Sequence, residues 1–339
     1  MIVIIGKMEN MDLGRPIVSI ILPCYNAEHV VSAAIGSVAN SSIAPRCELI
    51  IVNDGSTDNT ESVIDAACKQ NGDLKITVIK TMNQGVSKAR NKALDVAEGK
   101  YIAFLDADDR ISPCMLENMV AFSEEIGADF SYCEWTSDFA RLCENATIPV
   151  STTKDDVFST LLYRSISLGF TCVLYRREII EKYSLRFDES LRYGEDLAFL
   201  WKYALRCSAF LFFPKPFYYY ARDNKHSAMH RVRWEMTDVL KAVEQIRADI
   251  PRAETALQKS YDAYMIPRYI LYLQKDFALG NNRELFDRLK KQYPAVSFRA
   301  VIKKARFIIQ VSAIAYRISP SLYFRLFQRI GQIRNGRAF

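Results

Sequence analysis

The sequence predicts an α/β fold with a mainly parallel sheet flanked by helices, followed by a helical and basic C-terminal appendage. Three observations lead to this prediction. Short β-branched runs alternate with helical stretches over residues 18–134, apolar residues recur at helical spacing beyond residue 231, and every acidic residue lies at or before Asp287. Alternating strands and helices are typical of βαβ units, in which helices cover both faces of a parallel sheet.

The first five strands are predicted from short apolar runs, because uninterrupted apolar residues fit strands that are buried on both faces. These runs are 18–22, 48–53, 76–79, 101–105 and 128–133. Helical spacing between them predicts connecting helices over 30–38, 57–68, 86–97 and 113–126. Residues 18–134 are therefore expected to form one layered unit.

The alternation weakens over residues 135–170, which we expect to form a variable loop with one helix. A second block of elements is predicted after it. The block comprises a strand at 170–175, a helix near 178–183, a helix from 194 to about 207, and short strands at 210–213 and 217–220. Beyond residue 231 the pattern is almost entirely helical.

Composition narrows the class of protein. The chain has 339 residues, of which 50% are hydrophobic and 25% charged, so disorder, collagen-like repeats and a coiled coil are disfavoured. The eight cysteines include no Cys-x-x-Cys pair, which argues against a disulfide scaffold or a zinc ribbon and for a reducing compartment. The start has no signal-peptide pattern, and no apolar run reaches the roughly 18 residues of a spanning helix. We therefore expect a cytoplasmic protein.

Charge is distributed unevenly along the chain. Residues 288–339 hold twelve Lys or Arg and no Asp or Glu, although the whole chain carries only +6. Such asymmetry predicts a polyanionic partner, either nucleic acid or a membrane surface. Apolar and basic residues alternate at helical spacing over 298–309 and 322–333, which favours helices lying on an anionic leaflet. The alternative is that these apolar faces pack on the rest of the chain; we expect no nucleic-acid partner.

Polar side chains follow four of the predicted strands. The segments are Pro23-Cys24-Tyr25-Asn26, Asp54-Gly55-Ser56-Thr57-Asp58, Asn83-Gln84-Gly85 and Asp106-Ala107-Asp108-Asp109. Ligands of open parallel sheets bind outside the carboxyl ends of the strands, so these segments predict one binding edge. The second and third segments also fit ordinary turns and a helix N-cap.

The Asp106–Asp109 segment predicts a metal site. Its three carboxylates repel one another unless a cation is present, and Mn²⁺ or Mg²⁺ suits a site of one or two carboxylates and substrate phosphates. The chain has neither a Gly-x-Gly-x-x-Gly segment after the first strand nor a P-loop. A metal would therefore have to neutralise a bound diphosphate, with Arg90 as a second positive charge.

Five motifs together resemble the family 2 glycosyltransferases, which are inverting enzymes of the Rossmann-like GT-A fold. The motifs are Pro23-Cys-Tyr-Asn26, Asn53-Asp-Gly-Ser-Thr-Asp58, Asn83-Gln-Gly-Val-Ser-Lys-Ala-Arg-Asn91, Phe104-Leu-Asp-Ala-Asp-Asp109 and Gly194-Glu-Asp196. Their order and spacing carry the resemblance from about residue 16 to residue 229. The last hundred or so residues are not covered.

The resemblance implies a site for a nucleotide-sugar donor. Tyr25 and Asp54 would lie around the base, with Pro23 and Asn26 shaping the same pocket. The resemblance further implies that Gly85 and Arg90 lie near the base and phosphates, Asp106 toward the ribose and Asp108 on the metal. Asn83 and Ala107 would also bind the donor.

The resemblance also implies the catalytic residue. Asp196 would be the base that takes the proton from an acceptor hydroxyl, and Glu195 would support it. Adjacent residues on a helix cannot both face one site, and acidic residues at a helix N-terminus can equally serve the helix dipole. His226 lies where the family often folds a loop over the diphosphate, and it is either a metal ligand or an exposed loop histidine.

Together these features predict a domain plan and an activity. We expect an N-terminal extension at 1–15, a catalytic domain at 16–230 and a helical region at 231–339. The catalytic domain would consist of a nucleotide-binding half at 16–134 and an acceptor-side half at 135–230. The activity implied is metal-dependent, inverting transfer of a hexosyl or N-acetylhexosaminyl group from a UDP-sugar to an acceptor hydroxyl.

The acceptor would be a lipid-linked or growing surface glycan at the inner face of the cytoplasmic membrane. One alternative is a sugar-1-phosphate nucleotidyltransferase, which would need a Gly-rich basic loop after the first strand. The other is a non-catalytic membrane-binding adaptor, which would have no use for Asp108 and Asp196.

Overall fold

The computed structural model describes residues 15–163, 168–221, 232–294, 296–305 and 307–336. The chain forms two compact units. The first comprises Met1–Val157, Ile166–Glu189 and Phe199–Asn224, and the second comprises Phe158–Ser165, Ser190–Ala198 and Lys225–Phe339. Strands are confined to the first unit in the described part of the chain.

Four parallel strands begin the sheet of the first unit, in the order β3-β2-β1-β4. They are β1 (Val18–Cys24), β2 (Cys47–Asp54), β3 (Lys75–Thr81) and β4 (Tyr101–Phe104), connected through the helices α1 (Val31–Ala39), α2 (Thr60–Gln70) and α3 (Val86–Val96). Every residue of β1 and β2 is buried, as their uninterrupted apolar runs require. β3 alternates between exposed and half-buried residues because it lies at the edge of the sheet.

The sheet continues from β4 with both parallel and antiparallel pairs, in the order β4-β8-β6-β9-β5 with β7 on β9. The strands are β5 (Arg110–Ile111), β6 (Phe130–Thr136), β7 (Val150–Thr152), β8 (Val173–Arg176) and β9 (Phe210–Tyr219). The helices are α4 (Met115–Ile126), α5 (Lys154–Tyr163), α6 (Arg177–Lys182) and α7 (Glu195–Ala204). Only β6 and β9 pair in parallel here. The predicted α/β fold is confirmed, with its parallel strands concentrated in the first half.

One prediction about the strands is wrong. The runs at 210–213 and 217–220 form a single strand, β9, that continues through Pro214 and Pro216. The pairing with β6 shifts register at this point, from Cys133 opposite Phe213 to Glu134 opposite Pro216. This bulge lets the strand continue although proline cannot donate to the ladder.

The second unit is helical beyond residue 231, as the sequence predicts. Its helices are α8 (Asp238–Asp249), α9 (Thr255–Leu279), α10 (Arg283–Gln292), α11 (Arg299–Lys304), α12 (Phe307–Ile318) and α13 (Pro320–Gly336). The helix is interrupted between α12 and α13 at Ser319, and the Ser319 hydroxyl accepts the N–H of Leu322 at 3.2 Å. Within the described ranges, none of the helices has the length and apolar character needed to cross a bilayer.

Candidate functional site

The loops that follow β1 and β2 hold each other through side-chain to backbone hydrogen bonds. The Asn26 N–H donates to the Ser56 hydroxyl at 3.0 Å, and Asn26 Oδ1 accepts the Thr57 N–H at 2.8 Å. Asn26 has a φ of 49°, a left-handed conformation that asparagine tolerates. Pro23 is buried within β1, whereas the Tyr25 side chain is 49% exposed. The loop after β1 therefore carries an exposed aromatic ring and is fixed by hydrogen bonds to the loop after β2.

Asp54 holds the loop that follows β3. This buried carboxylate accepts the N–H of Gln84 at 3.0 Å and the N–H of Gly85 at 2.7 Å. Gly85 has a φ of 96° and immediately precedes α3, so the carboxylate lies at the N-terminus of that helix, where negative charge is favourable. Both oxygens of Asp54 thus engage the loop, and the neighbouring Asn83 side chain is exposed.

Gly55 permits this contact between the two loops. Its φ is 71°, and a Cβ at this position would lie 2.5 Å from the backbone nitrogen of Asn83. Any larger residue would separate the loops after β2 and β3.

Arg90 lies on α3 and pairs with Asp106, the first of the three aspartates after β4. Its Nη2 donates to Asp106 Oδ1 at 2.9 Å. The buried guanidinium also lies over the rings of Phe170 and Phe187, at 4.5 Å and 5.2 Å from their centroids. An ion pair and two cation–π contacts therefore fix Arg90 beside Asp106.

The three carboxylates after β4 have different environments. Asp106 and Asp108 are partly exposed, as is Ala107 between them, whereas Asp109 is buried. The Tyr218 hydroxyl donates to Asp109 Oδ2 at 2.7 Å, and the Ala221 N–H donates to Oδ1 at 2.9 Å. Burial and the neighbouring carboxylate of Asp106 raise the pKa of Asp109 to about 8. Asp109 therefore anchors the turn to β9, while Asp106 and Asp108 remain accessible.

The accessible carboxylates suit a divalent cation. Mg²⁺ and Mn²⁺ prefer oxygen ligands, and a site of this kind needs only one or two carboxylates when substrate phosphates complete it. Among the residues that the structure describes, no set of three or more His, Cys, Asp or Glu side chains has a metal-binding arrangement. His226 lies outside the described residues.

Glu195 and Asp196 begin α7 and belong to the second unit. Asp196 is partly exposed, and its Oδ1 accepts the N–H of Leu197 at 2.7 Å. Glu195 is buried. The two adjacent acids thus differ in access, and only Asp196 presents a carboxylate to solvent.

Helix α8 holds the segment that leads into Glu195 and Asp196. Gly194 has a φ of 87°, and a Cβ there would lie 3.0 Å from Val239 Cα. The N–H of Arg192 donates to the buried carboxylate of Asp238 at 3.3 Å. Glycine is therefore required at position 194 by both conformation and space.

The sequence interpretation assigned no role to Asn91, Tyr218 or Asp238. Asn91 lies on the same face of α3 as the buried Ser87 and Leu94. This spacing indicates that the Asn91 side chain is buried, and a buried amide needs hydrogen-bond partners. Asp238 and Tyr218 act on residues far away in sequence, and the sequence contains no local signal for those contacts.

Comparison with known proteins adds to this geometry. A family model described as Glycosyl transferase family 2 matches residues 19–184, from the second residue of β1 through α6. An uncharacterized glycosyltransferase of Haemophilus influenzae is 33% identical over 192 residues, covering 55% of this chain and 71% of the relative. The chain belongs to glycosyl transferase family 2. It is a glycosyltransferase, and the nucleotidyltransferase and adaptor alternatives gain no support.

This glycosyltransferase also resembles EpsJ, an uncharacterized glycosyltransferase of Bacillus subtilis. The two are 32% identical over 195 residues, covering 54% of this chain. The chain spans about half of EpsJ, at 55% of its length.

Two solved structures resemble the whole glycosyltransferase chain. S. aureus TarS 1–349 in complex with UDP-GlcNAc has a TM-score of 0.62 at 21% identity, covering 94% of this chain and 92% of that one. The mannosyltransferase PcManGT of Pyrobaculum calidifontis, in complex with GDP-Man and Mn²⁺, has a TM-score of 0.56 at 18% identity, covering 95% and 86%. The predicted GT-A fold is confirmed.

Proposed function

We propose that this enzyme transfers a sugar from a UDP-sugar to an acceptor hydroxyl, with inversion at the anomeric carbon and with Mn²⁺ or Mg²⁺ as cofactor. The observation that carries the proposal is the turn after β4, where buried Asp109 fixes the backbone and leaves Asp106 and Asp108 accessible. Two fold neighbours support it, because TarS was solved with UDP-GlcNAc and PcManGT with a nucleotide sugar and Mn²⁺.

The donor nucleotide would bind at the ends of β1 to β4. Tyr25 offers an exposed ring against which a base can stack, and Asp54 holds the loop after β3. The remaining base-side residues would be Pro23, Asn26, Asn83 and Gly85. Asp106, oriented by Arg90, would accept a hydrogen bond from a ribose hydroxyl.

Asp108 would hold the metal together with the donor diphosphate, with Ala107 leaving room between the two aspartates. When bound, the metal would supply positive charge to the departing diphosphate. His226 would be a second protein ligand of the same metal.

Asp196 would act as the catalytic base. Its carboxylate takes the proton of the acceptor hydroxyl while that oxygen forms a bond to C1 of the sugar, and the bond from C1 to the diphosphate breaks. The electron pair of the broken bond leaves with UDP, so no covalent enzyme intermediate forms. Glu195 would support the helix start rather than take the proton, because it is buried.

The acceptor would be a lipid-linked or growing surface glycan, with the enzyme peripheral on the inner face of the cytoplasmic membrane. Two observations support this part: the uniform positive charge of residues 288–339, and the fold likeness to TarS, which is named as a poly(ribitol-phosphate) N-acetylglucosaminyltransferase.

A nucleotide-sugar panel tests the activity. We expect hydrolysis or transfer with one UDP-sugar in the presence of MnCl₂, and loss of UDP binding by calorimetry in Asp108→Asn. Asp73→Asn is the matched control. Asp73 is an exposed aspartate just before the amino end of β3, whereas the proposed site lies at the carboxyl ends of the strands. Turnover of no nucleotide sugar in the panel, or unchanged metal-dependent UDP binding by Asp108→Asn, would contradict the proposal.

A further inference from the structure

Helices α12 and α13 each have one side packed within the second unit. Tyr316 of α12 is buried, and its ring lies 5.2 Å from that of Tyr323 on α13 and 6.0 Å from that of Phe286 on α10. Gly331 of α13 lies so close to α9 that a Cβ would overlap the carbonyl oxygen of Leu279. Both helices are therefore docked, and their outward sides are not part of this packing.

The outward sides carry a row of large apolar side chains, which we name the apolar row. Its six members are between 42% and 77% exposed: Phe307, Val311, Ile314, Ile318, Leu322 and Leu326. Within each of the two helices, successive members are three or four residues apart, which is the spacing of one helix face. Single exposed apolar residues are ordinary, whereas several on one face of each of two neighbouring helices indicate an interaction surface.

Exposed arginines lie beside the apolar row. Arg317 precedes Ile318, Arg325 precedes Leu326, and Arg329 follows one turn later; all three are exposed. No acidic residue occurs after Asp287, so neither helix contains a carboxylate. Exposed apolar side chains beside arginines, on helices without acidic residues, match an anionic lipid leaflet. The headgroups of such a leaflet are negative, and its acyl chains accept apolar side chains.

We propose that the apolar row is the surface with which this enzyme lies on an anionic membrane leaflet. The inference deepens the proposed function and rests on it, because it would hold the enzyme beside a lipid-linked acceptor. The apolar row differs from the surface predicted from the sequence, which included residues 298–305. Val301 of α11 and the residues that cap it, Phe298 and Ala305, are buried, and the Phe298 ring lies 5.4 Å from that of Tyr316, so this apolar side is already packed.

Vesicle flotation of the full chain tests the proposal. We expect binding to phosphatidylglycerol vesicles and little binding to phosphatidylcholine vesicles. The double variant Ile318→Glu/Leu322→Glu should lose binding, and Arg325→Gln should weaken it about five-fold, the effect of one basic residue near an anionic surface. Ile126→Glu is the matched control, since Ile126 is a half-exposed apolar residue at the end of α4 in the first unit.

Each outcome separates this inference from the proposed activity, because flotation requires no turnover and UDP-sugar hydrolysis requires no membrane. Retained hydrolysis with lost flotation in the double variant would support the surface. Failure of the wild-type chain to bind anionic vesicles, or equal binding by the double variant, would overturn it. A dimer in sedimentation velocity that dissociates in the double variant, without vesicle binding, would instead assign the row to a second copy of the chain.

Discussion

Asn91 exchanges two hydrogen bonds with the backbone of Phe187. The Phe187 N–H donates to Asn91 Oδ1 at 2.8 Å, and Asn91 Nδ2 donates to the Phe187 carbonyl at 2.9 Å. The Phe187 ring lies against the guanidinium of Arg90 and stacks on Phe199, with 4.2 Å between the ring centroids. Two adjacent residues of α3 therefore act together, because Asn91 fixes the ring that supports Arg90 on Asp106.

Replacing Asn91 tests this arrangement. Asn91→Ala leaves two buried backbone groups of Phe187 without their partner, at a cost of about 1–3 kcal/mol each in the free energy of unfolding. We also expect a roughly ten-fold loss of UDP affinity, equivalent to about 1.4 kcal/mol, because Arg90 and Asp106 lose their support. Thermal unfolding and UDP calorimetry measure the two effects.

Asn118→Ala is the matched control for that variant. Asn118 is also buried, and it donates to the Cys114 carbonyl at 2.7 Å and accepts the Thr147 N–H at 3.3 Å. It should lose stability while keeping UDP affinity. Equal UDP affinity in Asn91→Ala and Asn118→Ala would show that Asn91 has only a structural role.

Tyr218→Phe removes the hydroxyl that donates to Asp109. The buried carboxyl then loses a hydrogen bond, which we expect to cost about 1–3 kcal/mol in the free energy of unfolding and to loosen the turn that presents Asp106 and Asp108. Manganese-dependent UDP binding should weaken together with the melting temperature. Tyr261→Phe serves for comparison, because its hydroxyl donates to the Val243 carbonyl at 2.9 Å in the second unit. If only the melting temperature falls in Tyr218→Phe, the turn does not depend on this bond.

Gly194→Ala places a methyl group at a φ of 87° and within 3.0 Å of Val239. We expect a loss of roughly 1–3 kcal/mol in the free energy of unfolding and a lower kcat, since the start of α7 must move. Gly36→Ala in α1 is the control, with nothing within 4 Å of the added Cβ, and should stabilise by about 0.5–1 kcal/mol. Unchanged kcat in Gly194→Ala would separate this segment from catalysis.

Asp196→Asn separates proton transfer from donor binding. We expect nearly normal UDP binding by calorimetry and a loss of roughly 10²–10⁴-fold in transfer, the usual contribution of a positioned base. Asp108→Asn should lose both properties together. Near-normal turnover by Asp196→Asn would exclude it as the base, and Glu195 would then be the residue to replace.

Buried strands were predicted well because burial on both faces produces a continuous apolar run. The runs at 18–22 and 48–53 lie within β1 and β2, and the polar residues after them do mark one edge of the sheet. β5 and β7 were missed because strands of two and three residues produce no periodic pattern. The apolar side of α11 could not be distinguished from the apolar row, since packed and open helix faces have the same spacing.

Within the site, the sequence indicated which residues carry charge but not how each is used. Asp106, Asp108 and Asp109 are chemically identical in sequence. Asp109 differs from Asp106 and Asp108 because it is buried and hydrogen-bonded to Tyr218 and Ala221, which lie more than a hundred residues away in sequence.

The hydrogen bonds from Gln84 and Gly85 to Asp54 have a consequence for the entropy of donor binding. Fixing a free backbone residue costs about 1–2 kcal/mol of conformational entropy, and a loop that must order around a ligand draws that amount from the binding free energy. Here the loop is already fixed by a carboxylate inside the protein. Asp54→Ala should therefore weaken UDP binding through a less favourable binding entropy even if Asp54 never touches the nucleotide.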